Sequence, residues 1–271
     1  MKFSIVLNSF NQVATIERTI VSCIKQAVDK EIILVDAGST DGTLEIVERY
    51  RNQIDKIIVN TSVDLGQSHA INLGFANSTG DIQCWINSDD WFEDDGLERI
   101  EPIFRANSHP FTWVIACCNL YNEEQKEIFS VRRVNHLDMG VALEYGSRFW
   151  VPQQSTFWRR EMFETVGPLV VHDHVTMDVE MFMRFTAMRK PYLSSEVVSN
   201  YAFHNASKGS VLRMESFVSQ NKLRMHYAAM FQSYFATEGL DIGNTPVHFR
   251  RALQSDLQRF VSHVRSRNAA S

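Results

Sequence analysis

Four short apolar runs constrain this chain more than any other feature. FSIVL (3–7), EIILV (31–35), KIIVN (56–60) and DIQCWI (81–86) begin at residues 3, 31, 56 and 81, so successive starts lie 28, 25 and 25 residues apart. That interval is too long for a hairpin and fits a strand, a crossover helix and a return to a parallel neighbour. Runs this rich in Ile and Val suit strands buried on both faces. The gaps carry helical spacing: Val13, Ile16, Ile20, Cys23, Ile24 and Ala27 after the first run, Leu44, Val47 and Tyr50 after the second, Ala70, Ile71, Gly74 and Phe75 after the third. The pattern predicts an α/β fold on a parallel sheet with right-handed crossovers.

Beyond residue 100 the alternation stops. EIFSVRR and STFWRR read as strands, and segments around 95–106, 160–166 and 178–188 as helices, so the sheet is expected to become mixed. Residues 210–236 and 247–266 read as two further helices. A length of 271 residues with 44% hydrophobic content fits one large soluble domain, or a domain with an appendage. A net charge of −5 gives no basis for binding a phosphate backbone, so no nucleic-acid partner is expected. The chain opens on the strand-like KFSIVL, which reads as no secretory signal, and no apolar stretch reaches the roughly 18 residues of a membrane span. Cys23, Cys84, Cys117 and Cys118 lie in apolar runs without CxxC spacing, as small buried hydrophobes in a reducing, cytoplasmic setting would.

All carboxyl ends of parallel strands lie on one edge, and ligands bind outside that edge. The segments that follow the four runs are NSFN (8–11), DAGSTDGT (36–43), TSVDLGQSH (61–69) and NSDDW (87–91). They bring Asp36, Asp64, Asp89 and Asp90 to one rim. Several acids on one edge repel one another unless a cation or hydrogen-bond donors offset them, and a divalent cation with sugar or ribose hydroxyls does both. Each cluster also has a local explanation. Gly38 and Gly42 permit tight turns, Asp41 caps a helix starting near Thr43, Asn8 and Asn11 form turns, and Asp89 and Asp90 precede a helix start that attracts negative charge. Four such clusters on a common rim favour a polar ligand site over four separate turns.

The stretches SIVLNSFNQ, ILVDAGSTDGTLEIV, DLGQSHAINLGFANSTGDIQCWINSDDWF, QQSTFWRREMFETVGPL, MDVEMFMRF and FHNASK, spread over roughly residues 3 to 208, resemble the family 2 glycosyltransferases. The resemblance implies a GT-A-type nucleotide-diphospho-sugar transferase fold: a parallel, Rossmann-like N-terminal half, a mixed central sheet and C-terminal helices. It divides the chain into a transferase domain at 1–208, with a nucleotide-binding half to about 107 and an acceptor half from about 108, and a helical extension at 209–271. In such enzymes the acid ending the second strand, here Asp36, binds the nucleotide base with the loop containing Asn8, Ser9 and Asn11. Asp64, Gly66 and Asn72 fall in the donor-binding stretch, Asn87 at the position that approaches ribose, and Lys208 near the diphosphate. Asp89 falls on the acid that touches the cation (Mn²⁺ or Mg²⁺), and His204 on an additional metal ligand. Asp178 matches the catalytic base, with Glu180 as its neighbouring competitor. Gln153, Gln154, Trp158 and Glu180 belong to the acceptor side, although core packing explains Trp158 equally well. Two departures stand out: Asn87 replaces an acid, and His69 occupies a place where relatives commonly carry one.

The activity so implied is inverting transfer from a nucleotide-diphosphate sugar, UDP-sugar favoured, to a hydroxyl of a saccharide or glycolipid, in surface polysaccharide or glycolipid assembly. A sugar-nucleotidyltransferase would carry a Gly-rich, basic loop where NSFNQVAT stands, and a dehydrogenase would carry GxGxxG there. An idle nucleotide-sugar-binding protein would have no use for Asp89 and Asp178. From His248 to Ser271 the chain holds five Arg and one Asp, and Phe249, Leu253, Leu257, Phe260, Val261 and Val264 give residues 248–267 one apolar helical face. Such a helix packs on its own domain or a homodimer partner, or docks on an anionic membrane from the cytoplasmic side.

Overall fold

The computed structural model describes residues 1–60, 66–138, 142, 151–171, 175–204 and 218–227. The four apolar runs form β1 (Phe3–Ser9), β2 (Lys30–Asp36), β3 (Lys56–Val59) and β4 (Ile82–Asn87), all parallel and ordered β3-β2-β1-β4. β1, β2 and β4 are buried almost throughout, as their continuous apolar runs require, whereas β3 lies at the edge and is largely open. The crossovers are α1 (Ile16–Lys25), α2 (Thr43–Arg49) and α3 (Gly66–Ala76). α1 and α2 pack on one face of the sheet through Ile16, Ile20, Cys23 and Val47, while α3 covers the other through Ile71 and Phe75 against Val6. Gly74 lets α3 lie close to β1, since a Cβ there would meet Val6 Cγ1 at 2.4 Å.

The sheet then becomes mixed, as expected. β5 (Trp91–Phe92), α4 (Gly96–Ala106), β6 (Trp113–Asn122), β7 (Glu127–Arg132), β8 (Thr156–Arg159), α5 (Arg160–Val166), α6 (Met177–Met188) and β9 (Tyr192–Phe203) complete the described elements. The full order is β3-β2-β1-β4-β8-β6-β9-β5, with β7 paired to β6. β8 runs antiparallel to both β4 and β6, and β9 parallel to β6. Although β6 opens on an apolar run, WVIACC, like those of β1, β2 and β4, it and β9 are additions to the expected strands. Their polar positions Asn119, Ser199 and Asn200 are buried, because Asn119 and Asn200 bond to each other and to Glu93, and Ser199 bonds to Ser155.

α6 lies over an aromatic core of Phe75, Trp85, Trp113, Trp158, Phe182 and Phe185. Its Arg184 is buried and ion-paired with Glu180 at 2.6 Å, and donates to the carbonyls of Val166, Gly167 and Pro168. Residues 218–227 are helical and join this network, as the Tyr227 hydroxyl donates to Glu180 at 2.7 Å. Among the described residues no helix is long and apolar enough to cross a membrane. All four cysteines are free and buried.

Candidate active site

The carboxyl ends of β1, β2 and β4 meet at one rim, with Asn8 flanked by Val35 and Asn87, and Ser9 beside Asp36. Asp36 is wholly buried. Its Oδ1 accepts from the backbone of Gly38 (2.9 Å) and Ser39 (2.7 Å), and its Oδ2 from Ser39 Oγ at 2.7 Å. The acid organises its own loop, because the turn brings three donors to it. Ser39 Oγ accepts from Asn11 N, and Asn11 Oδ1 from Thr40 N, tying the loop after β1 to the loop after β2. Asn11 holds the left-handed conformation, φ 52°, that Asn tolerates better than most residues. Asp41 accepts from the backbone N–H and hydroxyl of Thr43, the first residue of α2, as a helix-start acid does, and also from Val13 N. With both loops locked, Phe10 stands exposed above the rim.

The turn after β4 is held from α1. Thr19 Oγ1 donates to the Asp90 carbonyl at 2.6 Å and Arg18 Nη2 to the Asp89 carbonyl at 3.0 Å. The Arg18 guanidinium sits 3.6 Å over the Trp91 ring and pairs with Glu123. The two adjacent acids part company here. Asp90 turns inward, where Oδ1 accepts from Ala202 N at 2.9 Å, and burial together with the Asp89 charge pushes its carboxyl well above the usual range. Asp89 turns outward and bonds through Oδ2 to His204 Nε2 at 3.1 Å. That bond raises the His204 pKa against the opposing effect of burial. The two residues predicted as metal ligands, 115 positions apart, are thus in contact. Among the described residues no third His, Cys, Asp or Glu side chain joins them around a common point.

Asn87 lies at the centre of an amide chain. Its Oδ1 accepts from Gln67 Nε2 at 2.8 Å, its Nδ2 donates to Gln153 Oε1 at 3.2 Å, and Gln153 Nε2 donates to the Trp85 carbonyl at 2.6 Å. Gln153 therefore belongs to the rim floor. Gln67 and Arg18 are site residues that sequence reasoning missed. Gln67 stands inside the quoted DLGQSH beside the residues singled out, whereas Arg18 carried no signal on the polar side of α1. Buried polar atoms without a partner in or beside this region include Asn8 Oδ1, Ser9 Oγ, Arg18 Nε, Asp90 Oδ2 and Gln154 Nε2.

Three expectations are corrected by packing. Asn72 exchanges both of its amide hydrogen bonds with the backbone of Leu169, at 2.8 and 2.9 Å, so it clamps α3 to the segment after α5. Trp158 is wholly buried among the core aromatics and donates to Gln83, which makes it packing and not acceptor surface. Glu180 is committed to Arg184 and Tyr227 and does not face an acceptor. Asp178, two residues earlier, is half-buried in the first turn of α6, so the structure separates the two acids that the sequence left in competition. Gly66 opens α3 with φ 79°, and His69 lies half-buried on the same helix. Asp64, Lys208 and the tail 248–267 lie outside the described residues.

A model of the family described as glycosyl transferase family 2 matches residues 4–188. An uncharacterized glycosyltransferase of Nostoc sp. is 28% identical over 176 residues, 62% of this chain and 54% of its own length. The cholesterol galactosyltransferase of Borreliella burgdorferi is 35% identical over 121 residues, 44% of this chain and 33% of its own. A PGL/p-HBAD biosynthesis glycosyltransferase of Mycobacterium bovis is 27% identical over 188 residues, 67% of this chain and 68% of its own. The alignments thus span between a third and about two thirds of these relatives. In fold the chain is similar to S. aureus TarS (1–349) solved in complex with UDP, with a TM-score of 0.62 at 17% identity, over 83% of this chain and 64% of that one. It is also similar to a Pyrobaculum calidifontis mannosyltransferase solved with GDP-Man and Mn²⁺, with a TM-score of 0.60 at 18% identity, over 99% of this chain and 75% of that one.

Proposed function

The chain belongs to glycosyl transferase family 2, and from that membership we propose that it moves a sugar from a nucleotide-diphosphate donor, UDP-sugar favoured, to a hydroxyl of a saccharide or glycolipid, inverting the anomeric centre. The observation that carries this reading is the coincidence on one rim of the outward Asp89–His204 pair with the orphaned atoms Asn8 Oδ1 and Ser9 Oγ. A buried polar atom without a partner costs about 1–3 kcal/mol, so a ligand rich in hydroxyl and amide groups finds binding energy there. The fold neighbours solved with UDP and with GDP-Man and Mn²⁺ support the same donor class.

Asp89 and His204 would hold a divalent cation. One hard oxygen beside one imidazole nitrogen suits Mn²⁺ better than Mg²⁺, which prefers an all-oxygen shell. When bound, such an ion stabilises the negative charge that builds on the departing diphosphate. The rest falls to the chain's own side chains. Arg18 and Thr19 fix the turn that aims Asp89 outward, and Gln67 and Gln153 orient Asn87 toward the ribose. The clamped loops around Asn11 and Asp36 shape the end of the rim that receives the base. Asp178 takes the proton from the acceptor hydroxyl as that oxygen attacks the anomeric carbon opposite the leaving group. One displacement inverts the centre and needs no nucleophilic residue. Surface polysaccharide or glycolipid assembly on the cytoplasmic side of a membrane is the setting that fits this chemistry.

Isothermal titration of the full chain with a panel of UDP- and GDP-sugars, with Mn²⁺ and with excess chelator, tests the reading. Binding of at least one donor that weakens on chelation is expected, and no binding in either condition contradicts it.

A further inference from the structure

We infer that the aromatic ledge at the ends of β7 and β9 is an acceptor subsite for an apolar aglycone, so that the preferred acceptor is a sugar hydroxyl carried on a hydrocarbon chain. This rests on the transferase reading above and names its acceptor class. Phe129 and Phe203 are about half exposed, and their rings meet edge to face with centroids 5.9 Å apart. Adjoining apolar rings in water offer a surface on which an apolar group gains by burial.

The register shows which way the ledge faces. Tyr121 packs on Trp91, under Arg18 of α1, and so points to the α1 side of the sheet. Side chains alternate along a strand, so Asn122 points to the opposite face, and Phe203, its register partner on β9, points there with it. Phe129 follows by its contact with Phe203. Leu120 and Tyr201, a register pair two residues back along each strand, continue the row inward, both half-buried. This opposite face is the one that α6 covers, the helix that carries Asp178 in its first turn. At its outer end the ledge stops one residue before His204, which turns to the α1 side and bonds there to Asp89 near Arg18 and Glu123. An occupant of the ledge therefore lies on the face that carries Asp178 and reaches the rim from the side opposite the Asp89–His204 pair.

That continuity identifies the occupant as the molecule being glycosylated. A stable dimer needs roughly 20–30 residues a side, and two phenylalanines with two half-buried neighbours fall far short of that. The ledge suits a single alkyl or isoprenoid chain, and burying about two methylenes on it gives roughly a tenfold gain in affinity.

Paired methyl and octyl glycosides of glucose, galactose and mannose serve as probes. Binding of each to the full chain is measured by saturation-transfer nuclear magnetic resonance and equilibrium dialysis, for wild type, Phe129→Ser and Phe203→Ser. Octyl glycosides should bind at least about tenfold more tightly than their methyl partners. Both variants should remove that difference while keeping donor hydrolysis and methyl-glycoside binding. Equal binding of octyl and methyl probes by wild type, or an octyl preference that survives both substitutions, overturns the subsite. So does a dimer in sedimentation that either substitution dissociates, because the ledge would then be a subunit contact. Donor hydrolysis separates the two claims: its absence counts against the transferase reading, while alkyl binding still decides the ledge.

Discussion

Asp178 and Glu180 stand two residues apart on α6, and their substitution should produce opposite losses. Glu180 is buried, its carboxylate 2.6 Å from Arg184 Nη2 and 2.7 Å from the Tyr227 hydroxyl. Glu180→Gln keeps one acceptor oxygen but leaves the Arg184 charge without its counter-ion. Breaking one side of a buried pair costs about 3–5 kcal/mol. Arg184 retains three carbonyl acceptors, on Val166, Gly167 and Pro168, which places the cost near the lower end. At about 2–4 °C per kcal/mol for a chain of this size, the melting temperature should fall by roughly 6–12 °C. Asp178→Asn should leave the melting temperature within about 2 °C, since Asn serves a helix start about as well as Asp. It should instead lower transfer by roughly 10²- to 10⁴-fold with donor affinity unchanged, because the proton acceptor is gone. Differential scanning calorimetry and a transfer assay on both variants read the two effects separately. Loss of transfer in folded Glu180→Gln, with Asp178→Asn active and stable, refutes the division of roles.

Glu31 sits at the far end of the sheet, where burial works against its charge but hydrogen bonds from Lys2, Ser4 and Thr79 outweigh it and hold its pKa at about 2, against 4.5 for the free side chain. A depressed carboxylate stabilises the fold above pH 4.5 and loses that contribution as pH falls toward 2, so about 3 kcal/mol should vanish across this window; acid titration of wild type should show that loss and Glu31→Gln should not. Gly74→Ala places a methyl 2.4 Å from Val6 Cγ1, and the overpacking should cost about 1–3 kcal/mol in urea unfolding while shifting β1 two residues from Asn8. Asp89→Ala should remove the Mn²⁺-dependent part of UDP binding and leave the melting temperature nearly unchanged; equal Mn²⁺ enhancement in the variant contradicts the assigned role.

Much of this architecture could be read directly from the chain. The runs at 3, 31, 56 and 81 became parallel strands because strands buried on both faces need unbroken apolar sequence, and their carboxyl ends brought NSFN, DAGSTDGT and NSDDW together as the topology requires. The apolar start of β6, WVIACC, carries an ordinary strand signal, whereas β9 was hidden because its interior polar residues Ser199 and Asn200 find partners across strands, which no local pattern reveals. The same limit applies to the site. Asp89 and His204 were paired, and Asp178 was preferred to Glu180, through resemblance; the ties of Glu180 to Arg184 and Tyr227 are visible only in the structure. Asn72 and Trp158 show the converse error: they lie in stretches that resemble ligand-binding segments, yet Leu169 and the aromatic core account for them. Asp36 holds its own loop through three hydrogen bonds, a role that the sequence reading did not include.

The most direct test of sugar transfer at this rim is release of nucleoside diphosphate from a panel of UDP- and GDP-sugars, measured with Mn²⁺ for wild type and for Asp89→Ala. Turnover of at least one donor by wild type, abolished by the substitution in a protein that still melts normally, is the predicted result. Turnover that is the same in both proteins would contradict it.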